Sequence, residues 1–334
     1  MSKKKPEDHK DLFREKQLVG LTKQTKALKA AIKKCRSALL IGEAATGKST
    51  LAKILAHEAG KKSYRINLNG YVTPDMLVGR MMARANNGTE TFFQYGILAR
   101  AMKEGAVIIL DEINAALPDT LFCLHAVLED IPRLFIPETE EELLPADGFT
   151  VIGTMNPSHD YAGTRGLNAA LYSRFSVVLR FPMLEGEQLL KALASHAPLV
   201  EASMLTEIAK IVEIAQKARK EEKITTRITL REAISALDYL EELEKKDAIE
   251  AAIFSKLEEH EREHVNAPKI EMSEKDIHVI LKRAGMFEQM TKKIECLEKE
   301  IQTMKELQAT VEMFLTKKQQ EKLEVELAQA EKQK

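Results

Sequence analysis

The sequence contains no tryptophan and only three cysteines, Cys35, Cys123 and Cys296, none of them in a C-x-x-C pair. That spacing argues against a disulfide framework or a zinc cluster and suits free thiols in a reducing compartment. A net charge of −1 gives no overall basic bias toward nucleic acid or an anionic membrane. The tyrosines and phenylalanines form no stacking array of the kind that single-strand binders use. No apolar run approaches the length needed to span a bilayer, and the opening MSKKKPEDHKD is charged, without the apolar core of a signal peptide. These absences predict a cytoplasmic protein with no membrane insertion. Its 334 residues leave room for two domains and a substantial core.

What is present is an alternation of strands and helices. Residues 1–15 are polar and read as a disordered tail. Thr22 is placed to cap a helix carrying Ala27, Leu28, Ala31 and Ile32, which leads into a strand at Ala38–Ile41. Further strands are expected at Ser63–Leu68, Ala106–Leu110, Phe149–Thr154 and Ser176–Phe181. Alternation of this kind predicts a three-layer α/β domain with a parallel sheet over residues 16–184. From residue 185 to 285 the pattern is one of amphipathic helices, as at Met204–Ala218 and Thr229–Leu243, and reads as a small all-α domain. The segment 286–334 lacks glycine and proline, and Phe287, Met290, Ile294, Leu297, Ile301 and Met304 keep the 3–4 spacing of a coiled-coil seam. One long helix or a helical hairpin bending near residues 316–320 would fit. Packing on itself, a neighbour or a partner is expected over a solvated single helix.

The chemistry begins at LLIGEAATGKSTLAKIL, where an apolar strand runs through glycines into an apolar-periodic helix. Gly42, Glu43, Ala44, Ala45, Thr46, Gly47, Lys48 and Ser49 spell G-x-x-x-x-G-K-[ST], the spacing of a phosphate-binding loop, with Thr50 following. Backbone N–H groups of such a loop and of the helix it opens form a concave anion site. Lys48 is placed to reach the β- and γ-phosphates of ATP, and Ser49 to ligate Mg²⁺. An accidental strand–turn–helix match is disfavoured because both flanks have the required character.

A phosphate loop calls for a second strand that delivers a carboxylate to the metal. AVIILDEIN supplies Asp111 for Mg²⁺, held mostly through water, and Glu112 to polarise the attacking water. An acidic pair here suits hydrolysis better than transfer to a substrate hydroxyl. FTVIGTMNPS ends a further strand at Asn156, on the sheet edge where ligands bind, so Asn156 is a candidate to position that water. Asn-Pro alone is also an ordinary turn signal. Arg174, in LNAALYSRFSVVLRF, sits at a helix end before a strand and is expected to project outward. That suits an arginine acting in trans on a neighbour's nucleotide, the bland alternative being a surface arginine capping its own helix.

In this order the motifs resemble an AAA+ ATPase, and more narrowly the MoxR-like group that includes CbbQ, NorQ, GvpN and CobS. TPDMLVGR, GILARAMKEGAVIILDEINAALPDTLFCLHAVLED and GTMNPSHDYAGTRGLNAALYSRF carry the resemblance, which covers residues 16–245. It implies that Asn156 is sensor 1, Arg174 the arginine finger and Arg227, in ITTRITLREAI, sensor 2. It also implies that Val19 and Gly20 lie beside the adenine, and it leaves open whether Arg174 or Arg165 is the main trans arginine. The helical domain becomes a lid. A homo-oligomeric ring, usually a hexamer, is implied, with an insert at Met81–Tyr95 and a hairpin at Arg133–Asp147 facing a pore or client. The group's clients often receive a cofactor or metal and frequently involve a von Willebrand factor A domain. The tail after Gly285 is not part of the group's pattern.

HEREH, from His260 to His264, matches the H-E-x-x-H of zinc proteases, with both histidines on one helical face. Its surroundings are almost wholly charged and offer no third ligand, so a solvated helical face is expected. The resulting reading is Mg²⁺-dependent ATP hydrolysis that remodels or activates a client protein. The rivals are a nucleic-acid motor or loader, disfavoured by the missing basic stripe, and a nucleotide-gated scaffold, which would not need Glu112.

Overall fold

The computed structural model describes residues 20–85, 89–157, 166–197 and 199–265, together with 298, 301, 302, 304 and 305. Contacts divide the chain into two compact units, residues 1–270 and 271–334. The described residues of the second unit, Glu298, Ile301, Gln302, Met304 and Lys305, are helical, and Ile301 and Met304 are exposed. The rest of the proposed coiled-coil seam, with Cys296, lies outside the described residues, as do Val19 and Arg165.

In the first unit the elements follow the expected alternation. They begin with α1 (Thr22–Lys33), β1 (Ala38–Gly42), α2 (Lys48–Glu58), β2 (Ser63–Asn67), the single turn α3 (Pro74–Leu77) and the hairpin β3 (Gly79–Ala85) and β4 (Thr89–Tyr95). There follow α4 (Ile97–Lys103), β5 (Val107–Asp111), α5 (Pro118–Val127), and a second hairpin of β6 (Leu134–Ile136) and β7 (Glu141–Leu143). β8 (Thr150–Met155), α6 (Ala169–Tyr172) and β9 (Val177–Phe181) complete the α/β part. The helical region that follows comprises α7 (Gly186–His196), α8 (Ala202–Lys220), α9 (Leu230–Tyr239), α10 (Lys245–Ala252) and α11 (Glu259–Arg262).

The central sheet has the order β2-β5-β8-β1-β9, and every pairing in it is parallel. Its three inner strands are continuous apolar runs because both faces are covered. Alternate residues feed two cores. Leu39, Ile41, Ile108, Leu110 and Val151 pack with Leu98, Met102, Leu121 and Leu124 of α4 and α5. Ala38, Leu40, Val107, Ile109 and Ile152 pack with Leu28, Ile32, Leu51 and Leu55 of α1 and α2. This is a three-layer αβα arrangement, and it places the carboxyl ends of β5, β8 and β1 side by side.

Local details differ from the sequence expectation. Thr22 does not cap α1; Leu21 occupies the N-cap position without a side-chain bond, and Thr22 is the first helical residue. Leu21 is buried, so packing rather than capping fixes that helix start. The helix expected over Thr229–Leu243 runs only from Leu230 to Tyr239, with Thr229 as its N-cap in a capping box with Glu232. The two segments implied as insert and hairpin both form antiparallel pairs. They are tied together where the Tyr95 hydroxyl donates to Glu141 at 2.5 Å, while Lys103 lies 3.9 Å over the Tyr95 ring.

Candidate active site

The site assembles at the carboxyl edge of the sheet. β1 ends at Gly42, whose backbone runs so close to β9 that a Cβ there would lie 2.6 Å from the Phe181 carbonyl oxygen. The loop that follows places Ala45 and Gly47 in the left-handed region, at φ 61° and 85°. Gly47 is the N-cap of α2, and no side chain caps that helix, so its first N–H groups are left to point at a ligand. Thr46 steadies the loop by donating to the Glu43 carbonyl at 2.8 Å.

Lys48 is buried and its ammonium is held by the loop itself. It donates to the carbonyls of Gly42 at 2.7 Å and Glu43 at 2.6 Å, and to Asn156 Oδ1 at 3.1 Å. Burial lowers its pKa to about 8, against the opposing pull of the Glu43, Asp111 and Glu112 carboxylates. Asn156 comes into reach because β8 lies between β5 and β1. Its backbone carbonyl accepts from Asn114 Nδ2 at 3.1 Å.

At the end of β5, Asp111 is buried. Its Oδ1 accepts from Ser49 Oγ at 2.6 Å and from Thr154 Oγ1 at 2.9 Å, while its Oδ2 pairs with Arg65 Nε. The next residue, Glu112, turns outward, is exposed, and sits in the left-handed region at φ 54°, ψ 43°. Such a backbone conformation is uncommon for a residue with a Cβ and is held here between the strand and a 3₁₀ turn, with the Glu112 N–H donating to Thr154 Oγ1 at 3.3 Å.

The donor set fits Mg²⁺. Ser49 and Asp111 offer a hydroxyl and a carboxylate, both hard oxygen ligands, already 2.6 Å apart. Among the described residues there is no group of three or more His, Cys, Asp or Glu that could hold a metal ion. Mg²⁺ usually keeps several waters and takes further ligands from substrate phosphates.

The helical region borders one side. Arg227, 17 % exposed, pairs with Glu43 at 3.3 Å, which brings a cation of that region onto the phosphate loop. A cleft of about 630 Å³ opens there, lined among others by Glu43, Met183, Gln216, Arg219 and Arg227. Gly20, at φ 77°, lies against Leu184 and against Gln188 of α7.

Arg174 is not brought to this site. It precedes β9, whose Val177 pairs with Ala38 at the opposite end of the sheet from Gly42, and its Nη1 donates to the Ala170 carbonyl at 2.7 Å. Nor do the HEREH histidines converge on a ligand, since both are exposed. The expectation of a solvated face fails at Glu261, however, which is 0 % exposed. Asn114, Thr154 and Arg65 also belong to the site and were not singled out from sequence. Thr154 lies two residues before Asn156 on the same strand, and Asn114 two residues after Glu112, spacings that carry a hint of both.

Fold and site together define a P-loop nucleotide-binding domain built on a 5-stranded parallel sheet. Residues 37–175 match the family model described as an AAA domain of the dynein-related subfamily. The chain is 30 % identical over 241 residues to an uncharacterized protein of Staphylococcus saprophyticus, covering 71 % of this chain and 90 % of that one. It is also 30 % identical over 240 residues to midasin of Giardia intestinalis, covering 66 % of this chain and 5 % of that one. Among solved structures, a variant of RuvB from Thermotoga maritima aligns with a TM-score of 0.48 and 21 % identity, covering 72 % of each chain. Residues 37–175 are an AAA domain, and the chain belongs to the same family as the Staphylococcus saprophyticus protein. Among the described residues no helix is long and apolar enough to cross a membrane.

Proposed function

We propose that this chain is an Mg²⁺-dependent ATPase of the MoxR-like kind, working as a cytoplasmic homo-oligomeric ring, most simply a hexamer, that remodels or activates a client protein. The observation that carries the hydrolytic part is the convergence of Lys48, Asn156, Ser49 and Asp111 at one sheet edge beside an exposed Glu112. Lys48 leaves the loop carbonyls for the β- and γ-phosphates, and Ser49 and Asp111 are the residues that would hold the metal. A bound Mg²⁺ would neutralise charge that develops on the phosphates. Glu112 takes the proton of the attacking water, which Asn156 orients. Arg227 faces the nucleotide from the lid. Arg174, too far from its own loop, serves a neighbour's nucleotide, which makes the ring necessary for turnover.

The client side of the reading rests on the two tied hairpins, which expose Met81, Phe92, Phe135 and Leu144, and on the group's habit of acting on proteins, often with a von Willebrand factor A domain. The test is nucleotide-dependent trapping. Immobilised Glu112→Gln protein should retain one partner in ATP and Mg²⁺ and release it without Mg²⁺, and that partner should stimulate the wild-type ATPase. Salt-sensitive stimulation by DNA, with no retained protein, would instead move the reading to a nucleic-acid motor.

A further inference from the structure

The glutamate of the HEREH stretch has a different task from the one its motif suggests. Glu261 Oε1 accepts from the Thr225 hydroxyl at 2.8 Å, the Thr226 backbone N–H at 3.0 Å and the Thr225 backbone N–H. Its Oε2 accepts from the Thr226 hydroxyl and from the Glu258 backbone N–H at 3.2 Å. A fully buried carboxylate is costly unless such donors surround it, and here they outnumber what a helix cap needs. Burial alone would raise its pKa, but the bonds from Thr226 and Thr225 outweigh this and hold it at about 2, so the group is ionised at any working pH.

The residues it grips immediately precede Arg227. On the other side of that arginine, Thr229 is held by a second buried carboxylate: its hydroxyl donates to Glu232 Oε2 at 2.6 Å, and Lys256 Nζ donates to Glu232 Oε1 at 2.9 Å. Arg219 adds a bond to the Thr225 carbonyl. The loop from Thr225 to Thr229 is therefore fixed at both ends, and what it presents to the phosphate loop is the Arg227 guanidinium beside Glu43.

We propose that Glu261 is the positioning residue for Arg227, setting the placement of this lid cation at the nucleotide through the Thr225–Thr226 turn. The inference rests on the proposed reading of Arg227 as a nucleotide-facing group. A long arginine on an unanchored loop would lose more side-chain and backbone entropy on each binding event than one already fixed. Glu261 does not touch the nucleotide, so its effect must pass through Arg227.

The experiment is a double-mutant cycle in the full chain, read by the affinity for a fluorescent ATP analogue and by kcat and KM for ATP. Arg227→Ala should weaken these by about tenfold, Glu261→Ala should reproduce the same split between kcat and KM, and the double variant should be no worse than Arg227→Ala alone. Glu261→Gln, which keeps an acceptor for the Thr225 and Thr226 N–H groups, should fall between wild type and Glu261→Ala. Should Glu261→Ala fail to fold, Thr225→Val with Thr226→Val replaces it in the cycle. A folded Glu261 variant with wild-type ATP kinetics, or losses that multiply with those of Arg227→Ala, would overturn the proposal. Silence of Arg227→Ala itself would instead remove the reading beneath it, and that result is visible whatever the Glu261 variants do.

Discussion

Lys48 Nζ donates to Asn156 Oδ1 at 3.1 Å, linking the helix that the phosphate loop opens to the tip of a strand more than a hundred residues later. The same ammonium is buried and has its pKa lowered to about 8. This has a consequence for binding. Phosphate oxygens favour the charged ammonium, so the complex keeps Lys48 protonated at pH values where the free protein begins to lose that proton. Affinity for ATP should therefore fall as pH rises through about 8, with uptake of a proton on binding. Titration with a fluorescent ATP analogue from below to above that pH checks it, alongside calorimetry in buffers of different ionisation enthalpy. A Lys48→Arg protein, which cannot lose its charge in this range, should show no such fall.

Arg65 would compete with a metal ion for the Asp111 carboxylate. Its Nε is paired with Asp111 Oδ2, with the arginine side chain 49 % exposed and Asp111 only 5 %. Arg65→Ala should lower the Mg²⁺ concentration needed for half-maximal nucleotide binding by about two- to fivefold, the range expected of a half-exposed pair. A raised requirement would mean that Arg65 supports the ion site.

Gly42→Ala tests why the first loop glycine is there. The added methyl would meet the Phe181 carbonyl oxygen at 2.6 Å, and both partners are strand backbone that cannot easily give way. Destabilisation of about 1–3 kcal/mol is expected, measured by denaturant or thermal unfolding without nucleotide. Unchanged stability with lost ATP binding would place the need for glycine in the phosphate contact alone.

The sheet was legible in the sequence because parallel strands covered on both faces read as unbroken apolar runs, and three of them end in chemistry: Gly42, Asp111 and Asn156. The phosphate loop was legible because its geometry needs particular residues at fixed spacing. Thr154, Asn114 and Arg65 were not, since each acquires its role only when separate strands meet: Thr154 lies 43 residues from the Asp111 it bonds. Glu261 was hidden more deeply. Its neighbours in sequence are charged, so the stretch reads as solvated, and what buries it is a turn 36 residues earlier. Thr22 misled because a threonine before an apolar-periodic run is a common cap, whereas here the buried Leu21 fixes the helix start.

Arg174 should act between subunits. It lies at the opposite end of the sheet from its own phosphate loop, so Arg174→Ala should leave nucleotide binding nearly intact and depress hydrolysis by ~10³-fold. Mixing it with Lys48→Ala creates junctions that pair an intact loop with an intact arginine. Partial recovery of activity in mixed rings is expected, and complete absence of recovery in rings confirmed to be mixed would remove Arg174 from the reaction.

If this site hydrolyses ATP with Glu112 as the base, Glu112→Gln should separate binding from turnover. Glu112 is exposed, and its side chain makes none of the hydrogen bonds that hold Lys48, Ser49 and Asp111, so the substitution leaves the binding groups in place. Measured side by side, ATP affinity should stay within about twofold of wild type while single-turnover hydrolysis falls about 10²- to 10⁴-fold, the contribution expected of a general base. Hydrolysis at the wild-type rate by a Glu112→Gln protein that binds ATP normally would contradict the account.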